Sequence, residues 1–377
     1  MTAPAISPAL AATSKRVVQS TLATGSGRDA ARLAAGLTTW LRDHGGGGKL
    51  LDIQVPASSG ASSELFFLRL EGTRFGGATV EEAVMRLAPA YPVYPVTDLG
   101  QQFRAMQLAG TGSARVPRAL AFEADPAVIG SPFLLMERRR GLSAPDWPSY
   151  VREGWIRELS TPARERLWQQ GIDAIAELHA IVVPPELQPA LQLAVPGENA
   201  LARMLGYWRR YLELVAQNGH YPELETAVGY LERERPTAAF AEGFVWGDAS
   251  LRNMLFSELA PCGLLDFEFA HFGIPAFDVA FYVMMDYAMA QGFAEGAPRL
   301  PGFMGLSETV AYYEARTGRR VPSAEYLLHM AITYTSLATT RVFQRLHAQG
   351  KIPASLVGEN PPLRILRELL ATGRVPV

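Results

Sequence analysis

Residues 246–278 read WGDASLRNMLFSELAPCGLLDFEFAHFGIPAFD, and the fold is decided here. Three groups stand out: Asp248, the amide Asn253 five residues later, and Asp266 after a short apolar run. On a strand–turn–strand frame such a set suits Mg²⁺-assisted phosphoryl transfer. One carboxylate orients the attacking hydroxyl and takes its proton, while the amide and the other carboxylate hold the metal on nucleotide phosphates. Any one of these aspartates alone reads equally well as a surface loop or a helix cap. The spacing of the three together carries the assignment.

Working outward, the 377 residues allow two unequal lobes with buried cores. Nearly half are apolar, the net charge is -2 and no basic run stands out, so nothing points to disorder or to a nucleic-acid partner. Only Lys15, Lys49 and Lys351 are lysine; the other 32 basic residues are arginine. Cys262 stands alone, which excludes an intrachain disulfide and a Cys-based metal site and fits a cytoplasmic setting. The apolar window 269–290 contains His271, Pro275, Asp278 and Asp286, so it predicts a buried helix and not a membrane span.

Before the quoted stretch, residues 1–27 read as a loose Ala- and Pro-rich tail and 29–43 as an amphipathic helix. Runs at 50–56, 64–70, 80–87, 117–123 and 132–137 predict five strands, with a helix at 98–108 inserted after the third. Residues 28–138 thus form a small sheet lobe. From Arg138 a turn-rich hinge leads into a mainly helical lobe, 139–377, with helices expected at 161–181, 199–215, 223–234, 277–289, 307–317, 324–347 and 363–371. The overall class is α+β. Gly45 to Lys49 mimics a phosphate-binding loop but lacks the following Ser or Thr and precedes a strand, so it reads as a helix stop.

With Asp248, Asn253, Asp266 and the GIPAFD run in view, the chain resembles the aminoglycoside phosphotransferase/choline kinase-like family, a relative of protein kinases. Within that family it is most similar to the branch that includes kinase domains associated with acyl-CoA dehydrogenases. The resemblance spans about residues 50–370 and implies a two-lobed protein-kinase-like fold, with Mg²⁺ and ATP as cofactors (GTP left open) and a small hydroxylated acceptor. It implies Asp248 as catalytic base, Asn253 and Asp266 as metal ligands, and Asp278 as support for the catalytic loop.

In the small lobe the resemblance places a cation at Arg86, where the usual lysine is missing, and its partner at Gln102, with Asp98 as the alternative. Ser59, Gly60 and Ser62 fall in its phosphate-covering loop, and Met136 and Glu137 where backbone meets the adenine edge. Trp246 stands where a histidine is commonest, so no imidazole braces the loop. Arg252 is expected either at the terminal phosphate or in solvent. Glu268 is expected at a second Mg²⁺ or hydrogen-bonded to Trp246 or Arg252. His179 reads as a structural histidine within a helix. Two other classes stand beside the kinase: a nucleotide-binding pseudokinase that senses without transfer, and a purely structural protein.

After Asp278, 10 basic residues face 7 acidic ones, a net of +3, which disfavours a polycationic acceptor. The same region is rich in Tyr, Phe and Met, which suits a flat or lipid-like hydroxylated molecule such as a hydroxyacyl group.

Overall fold

The computed structural model describes residues 30–55, 64–88, 91–96 and 98–373. The expected tail 1–27 and the expected loop residues Ser59, Gly60 and Ser62 lie outside them.

Helix α1 (Ala30–His44) is followed by strands β1 (Lys49–Gln54) and β2 (Glu64–Glu71), then by β3 (Glu82–Leu87). Helix α2 (Leu99–Gly112) intervenes before β4 (Ala119–Glu123) and β5 (Phe133–Glu137). The strands form one antiparallel sheet in the order β1-β2-β3-β5-β4. Side chains alternate between faces along a strand. Ala83, Met85 and Leu87 of β3 therefore join Phe66, Leu68, Phe133 and Leu135 in a core under Leu33, Leu37, Trp40 and Leu41 of α1. Each large side chain buried there contributes roughly 1.5–3 kcal/mol. The alternation turns Arg86 to the opposite face, toward the large lobe, yet leaves it only 4% exposed.

The large lobe begins with a two-residue strand, β6 (Leu142–Ser143). Helices α3 (Thr161–His179), α4 (Ala200–Ala216) and α5 (Pro222–Arg233) lead to β7 (Gly243–Val245), β8 (Met254–Ser257), β9 (Ala260–Leu264) and β10 (His271–Gly273). Helices α6 (Ala276–Tyr287), α7 (Leu306–Thr317), α8 (Ala324–Ala348) and α9 (Pro361–Thr372) complete it. Every residue of α6 is buried, as befits a helix apolar on all sides.

The apolar window 269–290 proves composite: β10 pairs with β7 before Pro275 opens the helix, and a π turn, Ala288–Gly292, extends its end. Strands β6 and β10 escape the sequence reading because two or three residues carry no legible alternation. Among the described residues no helix is long and apolar enough to cross a membrane.

Candidate active site

Strand β7 delivers the chain into a loop whose underside is fixed by one carboxylate. Asp278, fully buried in the first turn of α6, accepts the backbone N–H groups of Trp246 at 2.7 Å and Gly247 at 2.8 Å. Its third donor is His179 Nε2 at 3.0 Å. A carboxylate only accepts here, so the other nitrogen, Nδ1, receives the Tyr313 hydroxyl at 2.8 Å. Gly247 adopts φ +87°, and a Cβ there would lie 2.5 Å from the Phe269 carbonyl oxygen. Only glycine fits both demands.

Trp246 does brace the loop, by a different bond from an imidazole's: its indole N–H donates to the Leu265 carbonyl at 2.9 Å. The loop is thereby tied to the segment that carries Asp266. Asn253 adds two further ties, its side-chain Nδ2 donating to the Asp248 carbonyl at 3.0 Å and its carbonyl accepting Leu265 N–H at 2.8 Å. Asp266 follows directly, with φ +59°, a left-handed backbone that non-glycine residues seldom adopt outside constrained sites.

Asp248 keeps part of its surface open between the lobes. Burial of the rest, and then the nearby Asp266 charge, push its carboxyl up to about 6. Two carboxylates and an amide are hard oxygen donors, and the mutual repulsion of Asp248 and Asp266 is what a divalent cation would relieve, so the set fits Mg²⁺. Among the described residues no group of three or more His, Cys, Asp or Glu could hold a metal ion.

Arg86 reaches this cluster from the small lobe. Its guanidinium donates to Asp266 Oδ1 at 2.9 Å and, through the other terminal nitrogen, to Glu268. Burial opposes its charge, but Glu268 and then Asp266 overcome that and hold its pKa above the ordinary value. The expected partners differ. Gln102 is buried with its Oε1 lacking a protein partner among the described residues, and Asp98 instead caps α2, accepting Gly100 and Gln101 N–H. A carboxylate two residues after Asp266 meets the guanidinium better than an amide on another element can. Glu268 is thus a partner of Arg86, a pairing that the sequence did not disclose. Helix α2 is tied to this region by the neighbouring Gln101, whose Nε2 donates to the Ala270 carbonyl at 3.2 Å.

Arg252 donates to Asp146 at 2.5 Å and to Met285 Sδ at 3.4 Å, and its charge bears on Asp248. In the hinge strand, Met136 is partly buried, and the Glu137 N–H donates to the Arg118 carbonyl at 2.9 Å. That N–H already pairs with the segment leading into β4. Glu137's carboxylate pairs with Arg139 at 3.3 Å.

The family model described as APH, phosphotransferase enzyme family, matches residues 53–308. Acyl-CoA dehydrogenase family member 11 of Gallus gallus is 24% identical over 261 residues, covering 68% of this chain and 31% of its own length. The Homo sapiens protein of the same name is 22% identical over 289 residues, 74% of this chain and 34% of its own. The chain thus spans about a third of the length of these curated relatives.

Among solved structures, a candidate aminoglycoside phosphotransferase of Ralstonia eutropha superposes with a TM-score of 0.63 at 21% identity, covering 89% of this chain and 95% of that one. Wild-type aminoglycoside 2'-phosphotransferase-IIIa in its GDP complex gives a TM-score of 0.56 at 15% identity, with 92% and 100% covered. These likenesses establish a shared two-lobed kinase-like fold.

Proposed function

The chain belongs to the phosphotransferase enzyme family, and from that premise we propose that it transfers the terminal phosphate of ATP to a hydroxyl of a small molecule. The observation that carries the proposal is the joining of Asp248, Asn253 and Asp266 into one unit by the Asn253–Asp248 and Leu265–Asn253 bonds, beside the Arg86 cation.

In this mechanism the Asp248 carboxylate holds the acceptor O–H and takes its proton as the oxygen–phosphorus bond forms. The nucleoside diphosphate departs with the electron pair of the broken bond. Asp266 and the Asn253 amide would hold Mg²⁺, which when bound supplies charge neutralisation on the phosphates. Arg86 offers a fork to phosphate oxygens, and Glu268 keeps that fork oriented. The backbone of the catalytic loop stays fixed on Asp278, so Asp248 meets its substrate without reorganising.

One observation favours a second reading, a nucleotide sensor without transfer: Arg86 occupies Asp266, a proposed metal ligand. Incubation with Mg²⁺–ATP and a mixture of hydroxylated metabolites separates the two. A mass gain of one phosphate in an acceptor, lost with Asp248→Ala, supports the enzyme. Nucleotide binding with no such product in either protein supports the sensor.

A further inference from the structure

Beside the catalytic loop lies a group of core tyrosines whose hydroxyls the mechanism above does not employ. The Tyr211 hydroxyl on α4 and the Tyr334 hydroxyl on α8 are buried and have no protein hydrogen-bond partner among the described residues. A buried hydroxyl left unpaired costs about 1–3 kcal/mol. Two such hydroxyls in one cluster point to a ligand that completes them.

The cluster adjoins the reacting centre. The Tyr211 and Tyr334 rings lie 6.2 Å apart, Tyr94 meets Tyr211 at 6.0 Å, and Tyr334 stacks on Phe269 at 4.7 Å. Phe269 closes over Gly247, the residue before Asp248. Burial, reinforced by Glu268 and Asp248 among nearby groups, holds the Tyr94 and Tyr334 phenols above their ordinary range, so both remain neutral donors.

The α8 face that carries Tyr334 continues with Arg341 and Arg345, about 10 and 16 Å farther along the axis. Arg341 is buried, but its bonds go to neutral groups: the Pro92 carbonyl, the Gln344 amide and the Tyr91 ring 4.2 Å away. Its charge still bears on Tyr211. Arg345 has a buried Nε without a protein partner among the described residues, and burial lowers its pKa. The charges of Glu64 and Glu268 bear on Arg345, whereas the bonds of Arg341 go to neutral groups alone. A buried cation bonded to neutral groups alone, as Arg341 is, is the chemistry of an anion site, and Arg345 adds a second cation beside it.

We propose that this face binds the phosphate acceptor, and that the acceptor is an alcohol carrying an anionic group, carboxylate or phosphate. Tyr211 and Tyr334 hold polar atoms near the reacting hydroxyl; Arg341 and Arg345 hold the anion. The assignment rests on the phosphotransferase reading and narrows its substrate class.

Four matched probes test it by calorimetry on the full chain with Mg²⁺ and a non-hydrolysable ATP analogue: 4-(hydroxymethyl)benzoate, 4-(hydroxymethyl)phenyl phosphate, 4-(hydroxymethyl)benzamide and 4-(hydroxymethyl)benzylamine. At least one anion should bind about tenfold tighter than the amide, with the amine weakest. Which anion leads identifies carboxylate or phosphate as the source. Arg345→Gln and Arg341→Gln should each erode the anion's advantage and leave amide binding unchanged. Tyr334→Phe should weaken all probes together and preserve their order.

Equal affinities, a preference for the amine, no binding at all, or an anion advantage that survives both arginine variants would overturn the proposal. If Arg341→Gln fails to fold, Arg345→Gln at the more open position still decides. Asp248-dependent ATP turnover, measured on the same samples, separates the two levels. Intact turnover without anion preference removes the acceptor assignment alone, whereas anion preference without turnover removes the phosphotransferase reading.

Discussion

The two sides of the Asp248 loop are built on opposite principles. Below it, Asp278 is sealed from solvent, and its carboxylate receives Trp246 N–H, Gly247 N–H and His179, which Tyr313 holds in turn. Above it, Asp266 and Glu268 share the guanidinium of Arg86, Asp248 feels the charges of Asp266 and Arg252, and Asp248 and Asp266 remain partly open. The lower network is satisfied and therefore rigid. The upper one carries excess negative charge and gains most from an added cation. Such a division lets the base keep its position while its electrostatic surroundings change on loading.

The largest structural effect should come from the lower side. Asp278→Ala strands two buried N–H groups and His179, and should cost about 3–5 kcal/mol in denaturant unfolding. A loss near zero would show that the loop does not hang on this carboxylate.

Next comes acid sensitivity of the same side. His271, on the strand paired with β7, donates Nδ1–H to the Phe269 carbonyl at 2.8 Å, and burial lowers its pKa to about 4. A depressed folded-state pKa means full stability above the unfolded value of about 6.5, with stability lost as pH falls toward 4. Between pH 7 and 5 the loss should be about 2 kcal/mol. His271→Gln should flatten that slope; an unchanged slope would assign it to other groups.

The upper side is sharpened by a double-mutant cycle. Arg86→Met and Glu268→Gln should show a coupling of about 1–3 kcal/mol in unfolding. Pairing Arg86→Met with Gln102→Ala should give almost none, and the reverse order would restore Gln102 as the partner. The smallest effect is Trp246→Phe, which removes the indole N–H bond to Leu265 and part of a fully buried ring and should cost about 1–2 kcal/mol in unfolding.

Much of this arrangement was legible before the structure. Five strands with one inserted helix emerge from alternation and turn residues, and the grouping of Asp248, Asn253 and Asp266 from spacing alone. Contacts between distant segments were not. The choice of Glu268 over Gln102 depends on how a small-lobe strand meets the segment after Asp266, and no local pattern encodes that meeting. Gln101 and Gln102 are adjacent and identical in type, so which one faces Ala270 is set by the rotation of α2 on its neighbours. The indole bond of Trp246 was hidden because tryptophan reads first as core. The unpaired phenols of Tyr211 and Tyr334 were merged, for the same reason, with the buried aromatic residues around them.

The central claim is that Asp248 removes the acceptor proton, and its pH–rate profile and its loss test it together. Initial rates of phosphate transfer from Mg²⁺–ATP should fall below pH about 6 in the wild type, as a carboxyl raised to about 6 becomes protonated and ceases to accept. Asp248→Ala should lower the plateau by about 10²–10⁴-fold with its melting transition retained. A folded Asp248→Ala protein that turns over ATP at the wild-type rate would contradict the account.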